Sequence, residues 1–264
     1  MLLAINANNT NVKFALVEIG GEDDVVRGQW RIGTDAARTH DEYAVWLNQL
    51  MEFIGLDRAA VTAAAIASVV PRADYELQSL CRAFFAVEPM MIGSPNVALG
   101  MDVLIDRPAE AGADRLMNAI GGFQHYGGPL IVVDFGTGTT LDIIDASGNY
   151  TGGVIAPGIN LSVDALYEAA AKLPRISVER PANVIGKSTV EAMKSGVFWG
   201  YVGLIEGLVS RVREELGDPG TRVVATGGLA SLFAGSTEVL DTIDRDLTLK
   251  GLCEVYRRNR GAAG

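Results

Sequence analysis

Two short turns in this chain carry the hydroxyl, amide and glycine residues that suit contact with an anion. The first covers residues 6–11, between two hydrophobic segments that predict strands within residues 2–17. The second covers residues 136–138 and is again flanked by predicted strands. Turns of this composition can aim backbone N–H groups and hydroxyls at a phosphate. Two copies predict two similar domains that face each other across a nucleotide.

The two turns differ at two aligned positions. Asn6 in the first copy aligns with Asp134 in the second, and Asn8 aligns with Gly136. The first turn therefore lacks both the carboxylate and the glycine of the second. Asn8 places a side chain where glycine lets phosphate approach the backbone. Because Asn tolerates left-handed backbone well, the turn is expected to survive.

The composition excludes several classes of function. The chain has 264 residues and a net charge of −10, which argues against nucleic acid as a main partner. Cys81 and Cys253 lack metal-ligand spacing and are expected to be reduced thiols of a cytoplasmic protein. Two histidines are too few for a histidine zinc site. No signal segment or apolar run of membrane length is visible, so no membrane partner is expected.

The element pattern predicts an α/β protein with two mixed sheets. A helix at 110–124 is predicted to link domains at 1–110 and 111–264, and residues 261–264 are expected to be a frayed tail. The remaining predicted strands are 25–32, 63–69, 89–92, 130–134, 139–145, 150–156 and 222–226, and the remaining predicted helices are 41–53, 73–85, 160–171, 188–216 and 246–257.

Three further motifs have a structural and a functional interpretation. Gly186-Lys187-Ser188-Thr189 imitates the end of a P-loop, but Ser188 and Glu191 have the spacing of a helix capping box. Asp114 and Arg115 open the linking helix, where they could be solvated or could serve as a base and an anion contact. The helix dipole there is expected to stabilise the Asp114 anion. Glycines at 152–158 and 226–228 are either chain reversals or the walls of a cleft for an adenine nucleotide.

In chain order, these segments resemble the type III pantothenate kinases of the actin-like ATPase and sugar kinase superfamily. The resemblance covers nearly the whole chain and implies two ribonuclease H-like domains with a cleft between them. It rests on Asn9-Thr10-Asn11, Arg31-Ile32, Arg38-Thr39-x-Asp41-Glu42-Tyr43, Gly112-Ala113-Asp114-Arg115 with Asn118-Ala119, Asp134-Phe135-Gly136-Thr137, Gly152-Gly153 with Pro157-Gly158, Ile185-Gly186-Lys187-Ser188-Thr189, Ser195-Gly196, Gly200-Tyr201, Gly207-Leu208 and Thr226-Gly227-Gly228.

The resemblance implies ATP-dependent phosphorylation of pantothenate to 4'-phosphopantothenate, the first step of coenzyme A biosynthesis. By similarity, Asp114 matches the general base, Asp134 a ligand of a monovalent cation (K⁺ or NH₄⁺) and Thr137 an ATP contact. Mg²⁺ is also implied, as is a homodimer with the pantothenate pocket near its interface. The matching pantothenate contacts are Gly112, Ala113, Asp114, Arg115 and Thr189, and the ATP-binding turn is Asn6, Ala7, Asn8, Asn9, Thr10, Asn11, Val12 and Lys13.

Two alternatives remain open at this point. The family's first turn reads Asp-x-Gly-Asn-Thr, and the substitutions Asn6 and Asn8 allow either a working kinase or a catalytically impaired relative that acts as a binding or regulatory protein. The predicted helix 188–216 carries an aromatic and aliphatic stripe that could form a dimer contact or the core of its own domain. That stripe consists of Phe198, Trp199, Tyr201 and Leu204.

Overall fold

The computed structural model describes residues 1–20, 24–169 and 173–260. Its contacts divide the chain into two compact units. The first unit contains Met1–Gln124 and Leu247–Gly264, and the second contains His125–Asp246. Each unit is built on one mixed five-stranded sheet.

The first unit begins with an antiparallel meander of three strands. Its elements are β1 (Leu2–Ala7), β2 (Asn11–Glu18), β3 (Val25–Gly33), α1 (His40–Phe53), β4 (Ala63–Ser68), α2 (Pro71–Phe85), β5 (Pro89–Met91) and α3 (Ala113–Tyr126). β4 pairs in parallel with β1, and β5 pairs in parallel with β4. The strand order is therefore β3-β2-β1-β4-β5.

The second unit repeats this topology. Its elements are β6 (Leu130–Phe135), β7 (Gly138–Ile144), β8 (Tyr150–Pro157), α4 (Ile159–Ala169), α5 (Thr189–Leu216), β9 (Arg222–Thr226) and β10 (Thr242–Ile243), and the chain ends with α6 (Leu247–Asn259). β6, β7 and β8 form the meander, while β9 and β10 are the parallel additions. The order β8-β7-β6-β9-β10 matches that of the first sheet, which confirms the predicted duplication.

Side chains along β1 point alternately to the two faces of the first sheet, and one of these faces packs against the α1/α2 core. Leu3 and Ile5 join Phe14, Tyr43 and Leu77 in a hydrophobic core formed with α1 and α2. Successive side chains point to opposite faces of a strand, so Leu2, Ala4 and Asn6 belong to the other face. α6 contacts β1 and β4, and every residue of β1 is buried.

Contacts place the division between the units differently from the boundary predicted at residues 110 and 111. α3 remains with the first unit through Gln124, and α6 returns to it from the end of the chain. The cause is a close helix contact: a Cβ on Gly121 would lie 2.3 Å from the Leu247 carbonyl oxygen, and one on Gly251 would lie 1.9 Å from the Met117 carbonyl oxygen. Only glycines permit this approach.

The other predicted elements are present, with end shifts of a few residues. The helix predicted from residue 110 begins at Ala113, because Pro108–Glu110 forms a separate 3₁₀ turn. β10 was not predicted, since two residues leave no periodic pattern. The predicted frayed tail at 261–264 and the end of the helix predicted to reach residue 171 lie outside the described residues.

Candidate functional site

The turn between β1 and β2 is held in place by backbone hydrogen bonds. The Asn8 N–H donates to the Asn11 carbonyl at 3.0 Å, and Thr34 closes the outer side. Its N–H donates to the Thr10 carbonyl, and its hydroxyl donates to the Asn8 carbonyl at 2.5 Å. Asn8 is not among the described residues with positive φ, so this turn does not require the left-handed backbone that glycine favours.

Asn6 lies at the end of β1 on the face opposite the α1/α2 core. It is 7% exposed, and the Oδ1 atoms of Asn6 and Asn8 have no hydrogen-bond partner among the described residues. Lys13 is the direct cross-strand partner of Asn6, and Arg31 is the partner of Lys13. Neither cation makes an ion pair in the described part of the chain. Asn6, Lys13 and Arg31 thus form a row across β1, β2 and β3. This row contains an amide oxygen without a hydrogen-bond partner and two cations without ion-pair partners among the described residues.

Asp114 lies in the first turn of α3 and is linked to the β1–β2 turn through Val69. The Val69 N–H donates to the Ala7 carbonyl at 3.0 Å. A Cβ on Gly112 would lie 3.3 Å from Val69 Cγ1 and 2.7 Å from Asp114 Oδ1. The structure thus brings the predicted base, Gly112 and the first turn together at one end of the first sheet.

The pKa of Asp114 shifts in the direction opposite to the sequence expectation. Burial raises the pKa of its carboxyl group, which outweighs the lowering effects of the Arg115 N–H bond and the Arg115 charge. That N–H donates to Asp114 Oδ1 at 2.8 Å. The helix N-terminus was expected to favour the anion, but desolvation dominates here. A carboxylate with a raised pKa is a stronger proton acceptor than an exposed one.

In the second unit, two glycines from other segments pack against the β6–β7 turn, which itself contains Gly136. Gly227 follows β9 with φ of +94°, and a Cβ there would lie 2.4 Å from Asp134 Oδ1. A Cβ on Gly158 would lie 2.1 Å from the Thr137 carbonyl oxygen, and one on Gly136 would lie 3.7 Å from Asp134 Oδ1. The predicted glycine segments at 158 and 227 therefore meet Asp134 and Thr137. Gly152 instead lies in the irregular β7–β8 pairing.

Thr189 begins α5 in the second unit, and the preceding residue caps the helix. The Ser188 hydroxyl accepts a hydrogen bond from the Glu191 N–H, while the Glu191 carboxylate accepts one from the Lys187 N–H. This capping supports the structural interpretation of the Gly186–Thr189 motif. Thr189 lines a mainly apolar cavity of about 680 Å³ with Ser162 and residues of α4 and α5.

The residues present fit a nucleotide with its metal held chiefly by phosphate oxygens. Gly158 and Gly227 let their segments pack directly against Thr137 and Asp134, which holds the second turn in position. The described residues contain no cluster of three His, Cys, Asp or Glu side chains that could hold a metal by themselves. The buried Oδ1 atoms of Asn6 and Asn8 are neutral oxygen donors without another partner, and they suit a divalent ion less well than a carboxylate.

Sequence reasoning did not identify Val69 or the Asn6–Lys13–Arg31 row. Strand register creates both, and register cannot be read from one strand at a time. The aromatic stripe on α5 belongs largely to its own unit: Phe198 is 0% exposed, and Phe198 and Tyr201 pack with Phe233 at ring-centroid distances of 5.5 Å. These two residues therefore form intradomain core.

Comparison with known proteins agrees with this geometry. Residues 2–211 match the family model described as type III pantothenate kinase. Two type III pantothenate kinases, from Paramagnetospirillum magneticum and Rhodospirillum rubrum, are 56% and 55% identical, covering 98% of this chain and 98% and 99% of their own. A candidate 2-dehydro-3-deoxygalactonokinase from Sinorhizobium meliloti shares the fold, with a TM-score of 0.60 at 12% identity over 100% of this chain and 98% of its own. None of the described helices could cross a membrane.

Proposed function

Because the chain belongs to the type III pantothenate kinase family, we propose that it transfers the γ-phosphoryl group of ATP to the primary hydroxyl of pantothenate. The product is 4'-phosphopantothenate, which enters coenzyme A synthesis. One observation carries this proposal: the carboxylate of Asp114 lies beside Gly112, which contacts Val69, whose N–H binds the β1–β2 turn at Ala7. This proximity supports a role for Asp114 as the base close to the turn proposed to bind the phosphates.

Asp114 accepts the proton of the attacking hydroxyl as the new bond to phosphorus forms. Burial raises the pKa of Asp114 and so strengthens it as an acceptor, while the Arg115 N–H fixes Oδ1. Gly112, Ala113 and Arg115 border the same end of α3 and are proposed pantothenate contacts. Thr189, at the start of α5, is proposed as a further pantothenate contact. Phosphoryl transfer depends mainly on positioning and on charge neutralisation, so little covalent work is required of these residues.

Each turn has its own proposed contacts with the nucleotide or a cation. In the first, residues 6–13 supply backbone N–H groups, and Lys13 adds the positive charge beside Asn6. In the second, Thr137 supplies an ATP contact, and Asp134 binds K⁺ or NH₄⁺. Mg²⁺ neutralises phosphate charge when bound, and in this chain the neutral oxygens of Asn6 and Asn8 are its nearest candidate side-chain donors in the first turn.

The protein acts as a homodimer through an apolar surface on the second unit. α4 buries only Ile159 and Val163, and two large hydrophobic side chains of the second unit are exposed, Leu161 on α4 at 53% and Ile185 before α5 at 82%. Exposed apolar surface of this kind marks association sites. Light scattering is expected to give twice the chain mass, and Leu161→Glu combined with Ile185→Glu is expected to give monomers. A monomeric parent protein would refute the dimer.

The cell compartment proposed for this reaction is the cytoplasm. Cys81 and Cys253 support it, because both thiols are free and buried. Burial raises the pKa of each to about 12, so neither is a reactive thiolate at neutral pH.

The second candidate function is non-catalytic binding, favoured by the absence of a carboxylate at Asn6. Phosphorus NMR of ATP, Mg²⁺, K⁺ and pantothenate with the protein separates the two. A new phosphomonoester signal that requires both pantothenate and protein supports the kinase. Nucleotide binding by calorimetry without that signal, under conditions where a related kinase gives it, supports the binding protein and refutes catalysis.

A further inference from the structure

A row of oxygen-bearing side chains crosses the second sheet at Asp134. Thr140 on β7 is its antiparallel partner, and Thr226 on β9 is its parallel partner. Direct partners project from the same face, with Cβ atoms about 4.5–5.5 Å apart in antiparallel pairs. Asp134 is therefore flanked by one threonine on each neighbouring strand.

The hydroxyl group of Thr140 has a fixed orientation. It donates its hydrogen to Asp142 Oδ2 at 3.2 Å, and Asp142, which is 0% exposed, accepts a second hydrogen bond at Oδ1 from the Tyr150 hydroxyl at 2.9 Å. A hydroxyl has one hydrogen and two lone pairs. Because Asp142 takes the hydrogen, the Thr140 oxygen presents only lone pairs to its other neighbours.

Resting on the proposed function, we infer that Thr140 and Thr226 are further ligands of the monovalent cation at Asp134, and that Asp142 is a positioning residue for Thr140. A carboxylate and two hydroxyl oxygens can replace part of the hydration shell of K⁺. The same lone pairs accept hydrogen bonds from NH₄⁺.

The equivalent row of the first unit has the opposite character. There Ala67, Asn6, Lys13 and Arg31 occupy successive strands. The position of Asp134 holds a neutral amide, and the position of Thr140 holds Lys13. The second sheet thus presents oxygens at this row where the first presents positive charges, which favours the second unit for the monovalent cation.

The experiment measures K⁺-dependent thermal stabilisation and ADP affinity, titrating KCl against tetramethylammonium chloride at constant ionic strength. Thr140→Val keeps the shape but removes the oxygen, and it is expected to raise the K⁺ midpoint about tenfold or more. Thr140→Ser is expected to restore it. In Asp142→Asn, the new amide can donate a hydrogen bond to the Thr140 oxygen and turn the hydroxyl hydrogen outward. We expect this variant to lose about tenfold in K⁺ affinity, a loss typical of residues that orient metal ligands.

Two controls separate the possible failures. Tyr150→Phe removes the other hydrogen bond to Asp142 and is expected to leave the K⁺ midpoint within about twofold. Asp134→Asn tests the cation site itself. If K⁺ stabilises the unmodified protein and Asp134→Asn to the same extent, the assignment of Asp134 as a cation ligand is overturned. If Asp134→Asn abolishes the response while Thr140→Val and folded Asp142→Asn leave it unchanged, the inference about Thr140 and Asp142 is overturned and the Asp134 site stands.

Discussion

Replacing Gly112 by alanine should displace the carboxylate of Asp114, the proposed base, without unfolding the protein. The added Cβ would lie 2.7 Å from Asp114 Oδ1, whereas ordinary contacts begin at 3.4 Å. Gly112 is not among the described glycines with positive φ, so alanine fits the backbone. The carboxylate must move by about 0.7 Å, and because a misplacement of about 1 Å can cost a hundredfold, we expect kcat to fall roughly ten- to a hundredfold.

The assay is pantothenate-dependent ADP release with a melting curve for each variant. Gly203→Ala is the matched control, since a Cβ at this exposed position in α5 meets no atom within 4 Å. It should keep full turnover and melt slightly higher, because alanine is favoured over glycine in a helix. Gly112→Ala with kcat within twofold of the parent would refute the role assigned to the Asp114 position.

Three further perturbations test other parts of the site. Asn6→Asp with Asn8→Gly should lower the Mg²⁺ concentration needed for half-maximal turnover and raise kcat; an unchanged, near-zero rate in the folded double mutant contradicts this. Asp114→Asn should raise the melting temperature at neutral pH. Because the pKa of Asp114 is raised in the folded protein, ionisation of its carboxyl group destabilises the fold as the pH rises through that pKa. The increase in melting temperature should therefore vanish below the ordinary Asp pKa of 3.8, where the carboxyl group is protonated in both states. Gly227→Ala should destabilise the protein by roughly 1–3 kcal/mol in chemical denaturation, from its φ of +94° and the clash with Asp134; an unchanged midpoint contradicts it.

Local patterns predicted the duplicated fold because both hairpins combine strong strand periodicity with glycine, asparagine and threonine turns. The same reasoning misplaced the division between the units. Helical periodicity identified α3, but the unit to which it belongs depends on the contact of Gly121 with Gly251, which are far apart in the chain. Long-range backbone contacts of this type leave no periodic signal.

The site was predicted in part. The motif with Asp114 and the turns with Asn6 and Asp134 were identified from residue types, whereas the partners that tune them depend on register and burial. Lys13 opposite Asn6 is one case, and Thr140 opposite Asp134 is another. For Asp114, the helix N-terminus and desolvation shift the pKa in opposite directions, and only the structure shows that desolvation is larger.

The most direct test of the central claim is ADP release with ATP, Mg²⁺ and K⁺, with pantothenate present or omitted, for the parent protein and Asp114→Asn. We expect turnover that requires pantothenate in the parent, and a loss of about a hundredfold or more in the folded variant, as for removal of a general base. Equal turnover in the two proteins would contradict the assignment of Asp114 as the base, and no turnover in the folded parent would contradict the kinase activity itself.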